Sequence, residues 1–282
     1  MSSELMKAFL ENNTQAALRL MKKPFDLFTV DLQRDETLLF AACRNTNPTL
    51  VDAVCQKAKE QNRLDEMLSR RTVNGATALM VASLGMGAHL KKEFHAFCEK
   101  SYNGQNRDQS ALFKDQVVAL MSGNHLLEDA GRCVDLLMTY GMDPTATDIN
   151  GNTALHYAMK GYSVGYHPQT NHLIGAAPRL LADPRVQINA ANKDGQTPLH
   201  LAAFYGADAC LNYLLDKGAY LLATDKMALL PYEYAVLLEN ALRPETVKRI
   251  KRETNRHVRE IAEMAKSYQR QLHVKRMMQN SR

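Results

Sequence analysis

The chain has 282 residues, 45% hydrophobic and 23% charged, a composition that supports a packed core and excludes an extended disordered chain. No run approaches the roughly 18 consecutive apolar residues of a membrane span, and Met1-Ser2-Ser3-Glu4 lacks the basic and apolar regions of a secretory signal. The net charge of +5 is uneven: residues 244–282 carry eleven Lys and Arg against four Glu (+7), leaving about −2 for residues 1–243, so the basicity belongs to the tail.

In chain order, residues 4–23 read as a pair of helices without a turn motif between them, and the segment 4–30 suits a terminal capping unit. A degenerate repeat unit begins near 32 and carries Asp35-Glu36-Thr37-Leu38-Leu39-Phe40-Ala41-Ala42. A second, near 72, reads Asn74-Gly75-Ala76-Thr77-Ala78-Leu79-Met80-Val81-Ala82, and its second helix comes only at Cys133–Gly141. A third, near 148, carries Asn150-Gly151-Asn152-Thr153-Ala154-Leu155-His156-Tyr157-Ala158. The fourth, near 192, is the clearest. It runs Asn192-Lys193-Asp194-Gly195-Gln196-Thr197-Pro198-Leu199-His200-Leu201-Ala202-Ala203, then through Leu211, Leu214 and Leu215 to Gly218-Ala219. A fifth starts at Asp225 and includes Pro231.

Each position has a physical reason. Asp194-Gly195 suits a tight turn in which glycine takes positive φ. Thr197 caps a helix and Pro198 fits its first turn, where a missing N–H costs nothing. Ala202 and Ala203 keep that helix slim enough for a neighbour to approach. Leu211, Leu214 and Leu215 form an apolar stripe on the next helix, and Gly218 ends it in a left-handed cap.

These units resemble the ankyrin repeat, whose signature is a turn, T-P-L-H-x-A, and a second helix closing on L-L-x-x-G-A. The resemblance covers about residues 4–245 apart from insertions. It implies an all-α ankyrin-repeat solenoid of helix-turn-helix units with short hairpin turns, helical insertions and a long C-terminal helix. It also implies a module that binds a protein partner, not an enzyme. Irregular insertions and terminal extensions further resemble ankyrin effectors that intracellular bacteria deliver into host cells.

Against a period near 33, two long excesses stand out. The segment 86–129 has an amphipathic pattern at Leu112, Phe113, Val117, Leu120 and Met121; it reads as a helical decoration or a partner-specific surface. The segment 161–174 is rich in Tyr, His and Gly, with Tyr162 and Tyr166 as loop aromatics suited to contact. A shorter excess falls near 57–70.

No phosphate-binding glycine loop or H-E-x-x-H motif is present, and no cofactor, metal site or catalytic set is expected. His167 and His172 lack a cysteine pair to complete a zinc site, and Cys98 near His95 is a chance-level helical spacing; the alternative to a binding module is an enzyme with its site in this 86–129 insertion. The resemblance assigns His156 and His200 a structural role, tying neighbouring turns together. Cys43, Cys55, Cys98, Cys133 and Cys210 form no CxxC pair, which predicts reduced thiols and a cytoplasmic, cytosol-like setting (the host cytosol for an effector).

By the same resemblance, recognition falls on the hairpin tips and the concave helix face. That places partner contacts at Lys193, Asp194, Gln196, Phe204 and Tyr205, and at Ile149, Asn150, Asn152 and Lys160, with Tyr162 and Tyr166 beside them. Phe204-Tyr205 ranks first, since adjacent aromatics supply large contact area at low entropic cost. From Pro244 the chain reads as one long helix with Val247, Ile250, Thr254, Val258, Ile261, Ala265, Tyr268 and Leu272 at three-four spacing and cations elsewhere. This helix caps the last repeat, meets a partner helix, or binds an anionic surface (nucleic acid or lipid).

Overall fold

The computed structural model describes residues 2–31, 36–85, 126–160, 164–166, 173–205, 207–237 and 244–280. They form two rows of helices. The inner row is α1 (Ser2–Leu10), α3 (Leu38–Arg44), α6 (Ala78–Ser83), α8 (Ala154–Lys160), α10 (Pro198–Phe204) and α12 (Pro231–Leu237). Each of these packs against the next in that order. The outer row is α2 (Thr14–Leu20), α4 (Pro48–Glu60), α7 (Leu126–Thr139), α9 (Ala176–Leu180), α11 (Asp208–Asp216) and the start of α13 (Pro244–Asn280). A further short helix, α5 (Leu64–Ser69), follows α4 where the shorter excess falls. This is the all-α stack of helix pairs that the resemblance implies.

Local sequence sets the helix starts. Asn47 accepts from the Leu50 amide, with Pro48 in the first turn of α4. Thr77 Oγ1 accepts from Met80 N at the head of α6. Ala41, Ala42, Ala82, Ala158, Ala202 and Ala203 are fully packed, which lets the inner helices approach. Leu50, Val54, Val134, Leu137, Leu180, Leu211 and Leu214 fill the space between the rows, in one apolar cluster running from Leu5 to Ile250. Stability therefore accumulates from neighbour to neighbour along the stack.

Four turns of one design project from the inner row. In each, the residue at the apex is bonded back across the turn: Gly75 N to Thr72 O, Gly151 N to Asp148 O, Gly195 N to Asn192 O and Ala228 N to Asp225 O. The apex φ values are +74°, +77°, +79° and +61°. Successive turns are joined by backbone rungs, with Ile149 N donating to Asn74 O (3.1 Å), Lys193 N to Asn150 O (2.8 Å) and Lys226 N to Asp194 O (2.8 Å). The glycines are needed twice over. A Cβ on Gly151 would lie 3.0 Å from Lys193 N, and one on Gly195 would lie 3.0 Å from Asp225 Cα.

Two features depart from the sequence reading. Within the 161–174 segment, read as a contact loop, Val164–Tyr166 (β3) and Leu173–Gly175 (β4) pair antiparallel, with Gly165 opposite Ile174. Alternating β-branched and aromatic residues favour that ribbon. Gly175, at φ +116°, turns the chain from β4 directly into α9. The ribbon packs on α7 and α11 in the outer row. Helix α7 also begins at Leu126, well before Cys133, because Leu127 and Ala130 face the core. The rest of the 86–129 insertion lies outside the described residues. A second small ribbon pairs Val30–Asp31 (β1) with Glu36–Thr37 (β2) ahead of α3.

Candidate functional site

The turns and inner helices of the third and fourth repeats enclose a cleft of about 270 Å³. Its rim is Asn150 and Asp194 from the turns, and its walls are Lys160 at the end of α8 and Phe204-Tyr205 at the end of α10. Asn152, Asn192, Gln196 and Leu201 complete the lining. Seven of the eleven residues expected to contact a partner therefore meet in one place. Lys193 and Ile149 lie on the turns outside the lining, where Ile149 is exposed and the Lys193 amide is spent on a rung. Tyr162 lies outside the described residues, and of Tyr166 only the backbone in β3 is described.

The cleft floor is a hydrogen-bonded ribbon that crosses three repeats. Tyr157 Oη donates to Asp148 Oδ2 (3.0 Å), and Asn152 Nδ2 donates to the same carboxylate. Asn192 Nδ2 donates to Asn152 Oδ1 (3.0 Å) and to Gln196 Oε1 (3.3 Å). Gln196 Nε2 donates to Tyr234 Oη (3.1 Å), which donates to Asp225 Oδ2 (2.6 Å). Asn152 is therefore a correction. It is buried with its amide fully committed, so it supports the floor and is not an exposed contact residue. The Gln196 amide is likewise committed at both ends.

Beneath the ribbon, His156 and His200 tie each helix to the following turn. Nδ1 of His156 accepts from Thr153 N, and its Nε2 meets Gln196 O at 3.0 Å; Nδ1 of His200 accepts from Thr197 N, and its Nε2 meets Leu229 O at 3.1 Å. An acceptor at Nδ1 leaves the proton on Nε2, so each ring is neutral and donates to the carbonyl. Burial holds His156 down at about 4 and lowers His200 as well. Their structural role matches what the resemblance implies. In the second repeat Met80 Sδ takes the same place, accepting from Thr77 N at 3.4 Å.

Electrostatics mark the same cleft. Burial depresses the Lys160 ammonium below its ordinary value while Asp148 pulls it back up, and Nζ sits 5.0 Å from the centre of the Tyr157 ring. Burial acts to raise Asp148, but hydrogen bonds from Asn152, Tyr157 and backbone amides outweigh it and hold the carboxyl low. Asp148 is thus already saturated and gives Lys160 no ion pair. On the other wall Phe204 is 45% and Tyr205 41% exposed, edge to face at 5.0 Å, and Phe204 rests against Tyr234 at 6.0 Å. A half-desolvated cation opposite a braced aromatic pair suits a segment carrying both a carboxylate and an apolar side chain.

No group of three His, Cys, Asp or Glu with metal-holding geometry occurs among the described residues. No helix among them is long and apolar enough to cross a membrane. Cys43, Cys55, Cys133 and Cys210 are buried. Burial lifts the Cys43 and Cys133 thiols well above their ordinary value and Cys55 to about 12. His95, Cys98, His167 and His172 lie outside the described residues.

Comparison with known proteins agrees with this geometry. Residues 125–225 match the family model for ankyrin repeats (3 copies). The chain is 36% identical over 94 residues to the E3 ubiquitin-protein ligase KEG of Arabidopsis thaliana, covering 33% of this chain and 5% of that one. It is 26% identical over 129 residues to the ankyrin repeat protein R96 of Acanthamoeba polyphaga mimivirus (38% and 13%). It is 30% identical over 149 residues to diacylglycerol kinase zeta of Rattus norvegicus (48% and 15%). The chain thus spans no more than 15% of the length of these relatives. Its repeated turns and interlocked histidines, with the matching residues 125–225, identify this stack as ankyrin repeats.

Proposed function

We propose that this protein is a scaffold or adaptor that grips a segment of a partner protein in the cleft between the turns of its third and fourth repeats. Ankyrin repeats as a class support protein–protein interaction. The observation that carries the finer reading is the convergence of Lys160, Asp194, Phe204 and Tyr205 on one concavity above a fully bonded floor. A rigid floor lowers the entropy lost on binding, and the braced aromatics are anchors of the kind that dominate interface energetics. The partner segment carries an acidic side chain for Lys160 and an apolar one for Phe204.

This is a binding role and not a catalytic one. The kinase and the ligase share with this chain only 15% and 5% of their own lengths, so their activities are not carried over. A cytosol-like reducing setting fits the buried thiols, and action as an effector inside a host cell is the extension that the irregular insertions prompt. The test is photo-crosslinking from a benzoylphenylalanine at position 205, compared with one on the exposed side of the outer row at position 132. A partner crosslinked from 205 alone supports the proposal, and crosslinks from 132 alone overturn it.

A further inference from the structure

Helix α13 runs over 37 residues, and among the described residues those of α13 buried against the solenoid fall in its first turns. Thr246, Ile250 and Thr254 are buried in the packing of α13 against α11 and α12. The same face continues past Thr254 with nothing described upon it: Val258 is 50%, Ile261 46%, Met264 63% and Tyr268 62% exposed. At 1.5 Å per residue, residues 255–280 reach roughly 39 Å beyond the last repeat. A helix that leaves such a stripe in water has not met what covers it.

We propose that a second copy of this chain covers it, through antiparallel pairing of the two free helix segments. Three observations bear on that occupant. Arg252, Arg259, Lys266 and Arg270 fall on the side of the helix opposite the stripe, so the seam brings none of these like charges together. A helix lying in a lipid surface shares that arrangement, and the vesicle arm below separates the two. The stripe continues a face that already packs against helices, so its geometry is that of a helix–helix contact. The solenoid occupies this face up to Thr254, so parallel pairing would drive two solenoids into the same space, whereas antiparallel pairing puts them at opposite ends. The arrangement is closed and two-fold. Two such stripes with their flanks bury on the order of 1,000 Å², below the range of standard stable interfaces, which suits a dimer that dissociates on dilution.

The proposal is independent of the cleft and is tested on the full chain by sedimentation velocity from 1 to 200 µM (roughly, the span over which such an interface populates both states). The expected result is a reversible monomer–dimer equilibrium. Ile261→Glu/Tyr268→Glu, and the milder Ile261→Ala/Tyr268→Ala, should weaken it at least about tenfold with an unchanged melting temperature, since neither side chain packs on the solenoid. A monomer throughout the range overturns the proposal, as does a dimer indifferent to both variants. Phosphatidylserine vesicles added in parallel provide a further arm. Partition of a purely monomeric chain onto them, lost in the variants, gives the stripe to lipid and likewise overturns the dimer.

Discussion

Nε2 of His156 donates to the carbonyl oxygen of Gln196, 3.0 Å away and 40 positions further along the chain. One uncharged ring thereby fixes the distance between α8 and the turn of the fourth repeat, and with it the width of the cleft. The proton must stay on Nε2 and Nδ1 must stay bare, so the stack is sensitive to acid.

The sign follows from burial. His156 titrates at about 4 when folded, against an ordinary value near 6.5, so the unfolded chain binds more protons between those values. Its contribution is complete above pH 6.5 and is lost as pH falls toward 4, a total of about 3 kcal/mol. His200 is displaced in the same direction. Urea unfolding at pH 7.0, 5.5 and 4.5 should show stability falling steadily. His156→Phe should be about 2 kcal/mol less stable at pH 7 and show a shallower acid decline. An equally steep decline in that variant would acquit the histidine.

Tyr234 holds the buried Asp225 carboxylate at 2.6 Å and receives Gln196. Removing its hydroxyl with Tyr234→Phe leaves a buried charge short of a donor, at a cost of about 2 kcal/mol. Burial acts to raise Asp225, but the Tyr234 hydrogen bond heads the partners that keep it low. Its carboxyl should therefore titrate higher in the variant. NMR titration reads this directly, and an unmoved Asp225 would show that the backbone amides of Met227 and Leu229 suffice.

The fourth turn has alanine where the other three have glycine. Ala228 sits at φ +61°, a conformation that costs a side chain about 1 kcal/mol or more. Ala228→Gly should stabilise the protein by about 0.5 kcal/mol after the entropy of the freer unfolded chain is counted. Gly151→Ala should do the opposite and cost more than 1 kcal/mol (roughly, since strain and the clash with Lys193 N combine). Thermal melts of the two variants check the contrast, and a destabilised Ala228→Gly would contradict it.

How far the sequence reaches can be read from these residues. The turns were legible because Gly75, Gly151 and Gly195 mark places where only glycine fits. The fifth unit was found by its spacing although Ala228 hides the turn. The histidines' role came from the family resemblance. The β3–β4 ribbon escaped because each strand is three residues long and its alternation is drowned by neighbouring Gly and His. The Tyr–Asp ribbon escaped because Asp148 and Tyr157 meet only once the turn has folded back. Its trace was there: the Asp-to-Tyr spacing recurs at Asp225 and Tyr234. Asn152 was misjudged because turn position alone does not tell an amide facing solvent from one spent beneath its neighbours.

The most direct measurement compares the affinity of the crosslinked partner for the intact chain and for Phe204→Ala/Tyr205→Ala. Both rings are nearly half exposed, so the melting temperature should fall only slightly while binding weakens by at least about a hundredfold, as for a hot-spot pair. Equal affinity in the two proteins would show that the partner is held elsewhere on the solenoid and that the cleft is not the binding site.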